Sequence, residues 1–571
     1  MSSYNGYDTF NEFLVAPDTV DFIVQNSEYF LEYIKDKPYI YPTFSLIGEY
    51  LVAYTSKEKI EKVSQELGSA FIAAESTVLG LLDHQALEAA GIIQVIQQPF
   101  LNLRGQGVLI GIIDTGIDYT KDVFKYEDGT SKIVGIFDQT FGHSLPYGFM
   151  LGTEYTQEQI NQALKSDDPY SIVPQKDTVG HGTFLASIAA GREVDDFIGA
   201  APDAELLIVK LKKARPYYLE KYLIPPEQDN AYESSAVMVG IEYIVKKSEE
   251  LGRPAVICLG IGTSFGSHDG YSLFEDYLSD ISKLTGICIC TSVGNESQAK
   301  HHFFGKMIKQ GEEQNVELRV GDNASDIYIS MWNNASDRIS VAIRSPTGEL
   351  ITRIPAKSGV KFEAKLVFEK ATVIVEYYFP SRGSGSQRTV IKLINATRGI
   401  WNIIVRGDII LNGEYHAWLP ITGFISPNVE FLLPNPYTTV VIPSTALGPI
   451  SCGSYNSFDN SLYSQTSWGP TRLPMMAPDF VAPGVDIGGV YPEGYGTMNG
   501  TSVSTAITSG ACALMMQWGI IEKNDIALST YQIKAYLIRG CSRSPETIYP
   551  NLQWGYGRLN LLQSFISMRE T

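Results

Sequence analysis

The chain has 571 residues, with 44 Lys+Arg against 63 Asp+Glu and a formal net charge of −19. That balance repels nucleic acid and anionic membrane surfaces, so neither is an expected partner. The length calls for two or three domains, and 44% hydrophobic with 19% charged residues is the make-up of a soluble protein with a sizeable core.

The first twenty residues, MSSYNGYDTFNEFLVAPDTV, carry no basic n-region and no long apolar run. No secretory signal is expected there, which points to synthesis in the cytoplasm. No stretch approaches the 18 apolar residues that a membrane-spanning helix needs. Residues 1–82 read as a small α/β unit: a helix over Asp21–Lys35, a strand in SLIGEYLVAYT, a helix in KEKIEKVSQELG and a strand in SAFIAAES. From Gly107 strands and helices alternate. VLIGIID, AELLIVKL, AVICLG and ICICTS are solid apolar strands of the buried parallel kind. GTFLASIAAG, SSAVMVGIEYIVKKSEELG and SLFEDYLSDISKLTG are the helices between them. The expected fold is a doubly wound α/β sheet over 83–305 and 437–571, with active residues beyond the carboxyl ends of its strands. Over 306–436 the texture changes to short alternating strands, among them VELRV, RISVAIR and TVIVEYYF, separated by turns such as SRGSGS. This predicts an inserted antiparallel β-sandwich or jelly roll. TSVSTAITSGACALMMQW and STYQIKAYLIRG are the closing helices.

Three motifs carry chemistry, in the order IIDTGID, GHGT and NGTSVS. Asp114 ends a strand, where its carboxylate can accept from an imidazole Nδ1–H. His181 lies between glycines at the mouth of a helix, with room for a substrate beside the ring. Ser502 opens an apolar helix, so its hydroxyl is exposed and the helix dipole favours an oxyanion. Asp118 and Asp177 are rivals of Asp114 by proximity, and Ser504 is a second hydroxyl near Ser502. Asn295 lies in a formal glycosylation sequon, NES, discounted in the absence of a signal peptide. The six cysteines read as reduced core thiols, not a disulfide or zinc framework. Cys288 and Cys290 share one strand face with no second ligand pair at metal spacing. His301 and His302 read as a solvated pair, and no metal ligands are assigned.

These motifs resemble the signatures of the subtilases, which share the order Asp, His, Ser. TSVGNES resembles the family segment supplying an oxyanion-hole asparagine, here Asn295, and PDFVAPG resembles the stretch before the serine. By the same resemblance, LGIG (Leu259, Gly260) would pair with extended substrate by its backbone, while Ser292, Val293 and Gly294 would form one wall of the pocket for the residue preceding the cut bond. After Ser502 the family's usual Met-Ala-x-Pro is replaced by Val503, Ser504, Thr505 and Ala506, and Cys258 stands where serine is common. Calcium is frequent in the family, but no ligand set is identifiable, and no organic cofactor is implied.

The layout over residues 92–571 also resembles the Csp proteases of clostridial spore germination. QPFLNLRGQGVLIGIIDTGIDYT, the β-rich insertion after GNES, YHAWLPI and PSTALGPISCGSYN carry that likeness. It implies a propeptide, here residues 1–82, that the enzyme cuts itself and that can stay bound; the helix HQALEAAGI, read as the start of the catalytic domain, puts the cut near Leu79–Asp83. The likeness also implies a jelly-roll insertion, a spore association, and a protein zymogen that lyses cortex as substrate. Some relatives have lost triad residues; a silent pseudoprotease that signals by binding is therefore one alternative, and a broad degradative subtilase another.

Overall fold

The computed structural model describes residues 13, 19–25, 27–46, 50–59, 62–63, 66, 73–75, 83–140, 146, 149, 152–324, 326–381 and 383–569. They fall into two compact units, Met1–Leu81 and Leu82–Thr571. Residues 79–82 of the expected self-cleavage window and half of the helix expected over residues 57–68 lie outside the described residues.

The first unit has a four-stranded antiparallel sheet in the order Tyr41–Leu46, Tyr50–Ser56, Thr19–Gln25, Ala73–Glu75. Two expectations are corrected here. The helix expected over Asp21–Lys35 begins only at Glu28 and ends at Ile34, and Thr19–Gln25 is a strand. Val20, Phe22 and Val24 recur at every second position, the period of a strand, and the Ser27 hydroxyl then accepts from the Phe30 N–H to start the helix. The single strand expected in SLIGEYLVAYT is parts of two strands that pair antiparallel.

The second unit is organised by an eight-stranded sheet. Its order is Phe480–Pro483, Ile450–Tyr455, Ile287–Ser292, Ala255–Leu259, Leu109–Asp114, Glu205–Lys210, Ile133–Asp138, Thr153–Thr156. All neighbours are parallel except the last pair. The apolar runs are continuous because both faces of the sheet are covered. Ile110, Ile112, Leu206 and Ile208 pack on one side with the helices His181–Ala190 and Thr501–Met516. Leu109, Ile113, Leu207 and Val209 pack on the other with the helix Ser234–Leu251. Fully burying such a side chain contributes about 1.5–3 kcal/mol, so the central strands are fixed from both faces.

Between His302 and Phe431 the chain forms two antiparallel sheets of six and five strands. They share one apolar core, in which Val316, Leu318, Val341, Ile403 and Trp401 from the five-stranded sheet meet Ile329, Val373, Ile391 and Ala417 from the six-stranded one. Gly399–Ile409 alternates inward and outward residues: Trp401, Ile403 and Val405 are fully buried and their neighbours are not, whereas Ile327–Asn333 is buried throughout. No helix among the described residues is long and apolar enough to cross a membrane.

Candidate active site

The carboxyl ends of two central strands deliver Asp114 and Asn295, and the first turns of two helices deliver His181 and Ser502. Asp114 is the last residue of Leu109–Asp114 and is almost fully buried. His181 is the first residue of the helix His181–Ala190, and its Nδ1 lies 2.8 and 2.9 Å from the two Asp114 carboxylate oxygens. Burial disfavours a charged ring, but the charge and hydrogen bond of Asp114, with the Asp177 charge behind it, outweigh this and hold the His181 pKa above the usual imidazole value. Gly182 is required at the next position: a Cβ there would fall 2.3 Å from the Gly116 carbonyl oxygen and 3.2 Å from the Asp114 Cβ. The two motifs are therefore packed backbone to backbone.

Ser502 is the second residue of the helix Thr501–Met516, so its own N–H is one of the donors without an intrahelical acceptor. The Ser502 hydroxyl donates to the Gly260 carbonyl at 2.7 Å. A Cβ on Gly260 would lie 3.3 Å from both His181 Cε1 and Ser502 Cβ, which places the imidazole and the hydroxymethyl group together beside this glycine. Asn295 reaches the same point from the segment after Ile287–Ser292. Its Oδ1 accepts from the Thr501 N–H at 3.2 Å and from the Thr501 hydroxyl at 3.3 Å. A backbone N–H can only donate, so the amide oxygen faces Thr501 and the Nδ2 group is left for the cleft. The Thr501 hydroxyl also accepts from Gly294 N at 3.2 Å, which ties the asparagine segment to the serine helix.

Neither rival acid touches His181. Asp177 accepts from the Thr115 hydroxyl, the Val179 and Gly180 N–H groups, and the N–H and hydroxyl of Thr183. Burial opposes its charge, but these donors hold its pKa below the usual carboxylate value. Its place is under the start of the histidine helix. Asp118 accepts from Thr120 and Tyr170 and pairs with Lys121. The Ser504 hydroxyl is buried and donates to the carbonyls of Ala482 and Pro483, within the PDFVAPG segment. The far end of the histidine helix carries a feature the sequence did not disclose: buried Lys132 donates to the carbonyls of Ala190 and Pro202.

Asp114, His181, Asn295 and Ser502 line one cleft of about 1080 Å³. Gly260, Ser292 and Gly294 line it as well. Leu259 and Val293 do not, because their side chains are fully buried, Leu259 under the sheet and Val293 against Val440 and Ala477. Any substrate contact from these two comes from their backbone. The cleft lining missed in the sequence includes Tyr218, Tyr222 and Phe265, and Ile421, Thr422 and Phe424 from the antiparallel insertion, with Phe265 stacked between Tyr222 and Phe424. Glu296, next to Asn295, joins the two regions by accepting from Thr422 N and the Thr422 hydroxyl.

The reading of His301 and His302 as a solvated pair is corrected: both are buried. Adjacent residues at the start of a strand point to opposite faces. His301 Nδ1 lies 3.2 Å from Glu296 Oε2, whereas His302 Nε2 lies 2.9 Å from His416 Nδ1 in a stack with Trp418 and His268. Burial pushes His268 down to about 4, His302 to about 3, and His416 well below its usual value. All six cysteines are free and buried. Cys512 of the serine helix joins Cys288 and Cys290, and among the described residues these thiols are the one group of three or more potential side-chain ligands. Calcium takes oxygen donors, so this set does not fit the ion that the family resemblance brought into question.

The subtilase family model matches residues 105–328 and 433–557, which include all four motif residues. The chain belongs to the subtilase family. These are serine proteases, and the interruption of the match, 329–432, falls within the antiparallel strands. The chain is similar to the CspB protease of Clostridium perfringens, with 33% identity, a TM-score of 0.76, and coverage of 86% of this chain and 100% of that one. It is also similar to the minor extracellular protease Vpr of Bacillus subtilis, 23% identical over 492 residues, covering 81% of this chain and 52% of Vpr. The C5a peptidase of Streptococcus pyogenes serotype M18 is 22% identical over 480 residues, covering 75% of this chain and 36% of that protein. The subtilase thus spans about a third to a half of the length of these curated relatives.

Proposed function

We propose that this subtilase is a serine endopeptidase with Asp114, His181 and Ser502 as its catalytic triad and Asn295 as an oxyanion donor. The observation that carries the reading is the His181 Nδ1 contact to both oxygens of a buried Asp114, with His181 and Ser502 together beside Gly260. Asp114 fixes the tautomer that carries its proton on Nδ1, so Nε2 is the free base. A turn of the Ser502 hydroxyl away from the Gly260 carbonyl brings it to that base. His181 takes the hydroxyl proton as the oxygen attacks a peptide carbonyl, and the Asn295 Nδ2 group and the Ser502 N–H stabilise the tetrahedral oxyanion. His181 then protonates the leaving amine, and water repeats the cycle on the acyl-enzyme.

We assign residues 1–82 as a propeptide removed by the enzyme itself near Leu79–Asp83. Likeness to the CspB protease over most of the chain supports narrow processing over broad degradation. A protein zymogen such as a spore cortex-lytic enzyme is the substrate we favour. The test is N-terminal sequencing of purified wild-type protein and of Ser502→Ala. Processing near Leu79–Asp83 in the wild type alone is the expected result. Equal processing of both proteins, or a mature N-terminus inside VLIGIID, overturns the assignment.

A further inference from the structure

Two backbone segments approach the reacting centre from the sheet. Gly260–Thr263 continues the strand Ala255–Leu259, and Ser292–Asn295 ends the neighbouring strand, with Thr291 in register with Leu259. A substrate carbonyl attacked by Ser502, with its oxygen at Asn295, has its own Cα next to these two segments. The side chain on that Cα, which precedes the cut bond, must enter the space between them.

That space is already occupied. A Cβ on Gly262 would fall 2.4 Å from Val441 Cγ2, and a Cβ on Gly294 would fall 2.7 Å from Val441 Cγ1 and 3.0 Å from Cγ2. One isopropyl group therefore fills the open sides of both glycines. Val441 is also pinned in place. Its N–H donates to the Val293 carbonyl at 3.0 Å, and Ile442 exchanges both backbone hydrogen bonds with Thr263, at 2.8 and 2.9 Å. It is thus held to both walls, and its β-branched side chain has little rotamer freedom. Glu296 lines the same cleft but is engaged by Thr422 and His301, so it offers no unpaired carboxylate to a basic side chain.

We infer that Val441 is the floor of a shallow pocket and restricts this protease to Gly, Ala or Ser before the cut bond. The inference rests on the catalytic reading above. The pocket rejects Leu, Phe, Lys and Arg by volume and not by charge, since each would have to displace a side chain whose backbone segment is hydrogen-bonded to both walls.

The test uses the processed enzyme and tetrapeptide p-nitroanilides that differ only in the last residue: Gly, Ala, Ser, Leu, Phe or Lys. A fluorophosphonate, whose reactive group places no amino-acid side chain in the pocket, reports separately on Ser502. The expected result is Ser502 labelling together with a kcat/KM for Ala at least about 100-fold above that for Phe, the size of discrimination that a poorly fitting apolar group produces. Val441→Gly and the milder Val441→Ala should each raise the value for Phe at least about tenfold while changing the value for Ala far less. Labelling accompanied by equal or better cleavage after Phe, Leu or Lys in the wild type overturns the pocket inference and leaves the catalytic reading standing. Val441 variants that label at the wild-type rate without any gain for Phe remove Val441 from the floor. Absence of labelling in folded, processed protein sinks both.

Discussion

The parallel sheet and the antiparallel insertion bury comparable apolar side chains by opposite rules. In Leu109–Asp114 every residue is buried, because helices cover both faces of the sheet. In Gly399–Ile409 only alternate residues are buried, because one face meets the other sheet and the other is open. The chemistry follows that difference. Strands covered on both faces offer only their ends, and there the Asp114 carboxylate and the Asn295 segment are presented to the helices of His181 and Ser502. The insertion contributes cleft wall, through Ile421, Thr422 and Phe424, and none of the four motif residues.

Four measurements would break or sharpen this division. The largest effect is expected from Ser502→Ala, which should lower peptide hydrolysis by at least about 10⁴-fold and leave the unfolding midpoint in urea nearly unchanged. A large stability loss would mean that the hydroxyl is chiefly structural. Trp401→Ala should do the reverse. Removing this fully buried ring from the insertion core should cost about 3–5 kcal/mol of stability and leave the fluorophosphonate labelling rate of the folded fraction unchanged. A proportional loss of labelling would show that the insertion sets the geometry of the centre. Asn295→Leu should lower kcat about 10²–10³-fold with little change in KM; an effect confined to KM would make Asn295 a binding group only.

The histidines give the subtlest contrast, because the ring beside Asp114 and the rings of the buried stack are shifted in opposite directions. For His181 the folded pKa is raised. Activity should therefore rise with pH through a midpoint above the ordinary imidazole value of about 6.5, and the stability contributed by its pairing is present below that value and lost as pH rises through the folded pKa. For His268, at about 4, and His302, at about 3, the folded rings stay neutral while the unfolded chain takes up protons. Their contribution is present above about 6.5 and is lost as pH falls from there toward 4. Urea unfolding between pH 7.5 and 4.5 should show this fall, and it should be smaller in His302→Gln. Stability that stays flat over that range would mean the stack stays neutral in the unfolded chain as well or is already charged in the folded one.

Much of the site was legible in the sequence because its parts are local motifs with fixed internal geometry. GHGT could be read as a helix mouth because Gly182 has to pass the Gly116 carbonyl, and NGTS because the residues that open a helix leave their N–H groups free. What stayed hidden depends on contacts distant in the chain. Val441 meets Gly262 and Gly294 from far along the sequence, across the whole insertion. Cys512 joins Cys288 and Cys290 in the same way, and Glu296 finds Thr422. His301 and His302 looked solvated because two polar neighbours at an element boundary usually are, yet a strand start turns them to opposite faces, each with a buried partner. In the first unit, Asp21–Gln25 fits a helix or a strand by apolar content, and its pairing with Tyr50–Tyr54 decided the outcome.

The central claim is that Asp114, His181 and Ser502 act as one nucleophilic centre. It is tested most directly by fluorophosphonate labelling of the processed enzyme, with the adduct mapped by mass spectrometry in wild type, His181→Ala and Asp114→Asn. The predicted result is a single adduct on the peptide containing Ser502 in the wild type, with labelling slowed by orders of magnitude in both variants. An adduct on another serine, or undiminished labelling of Ser502 without His181, would contradict it.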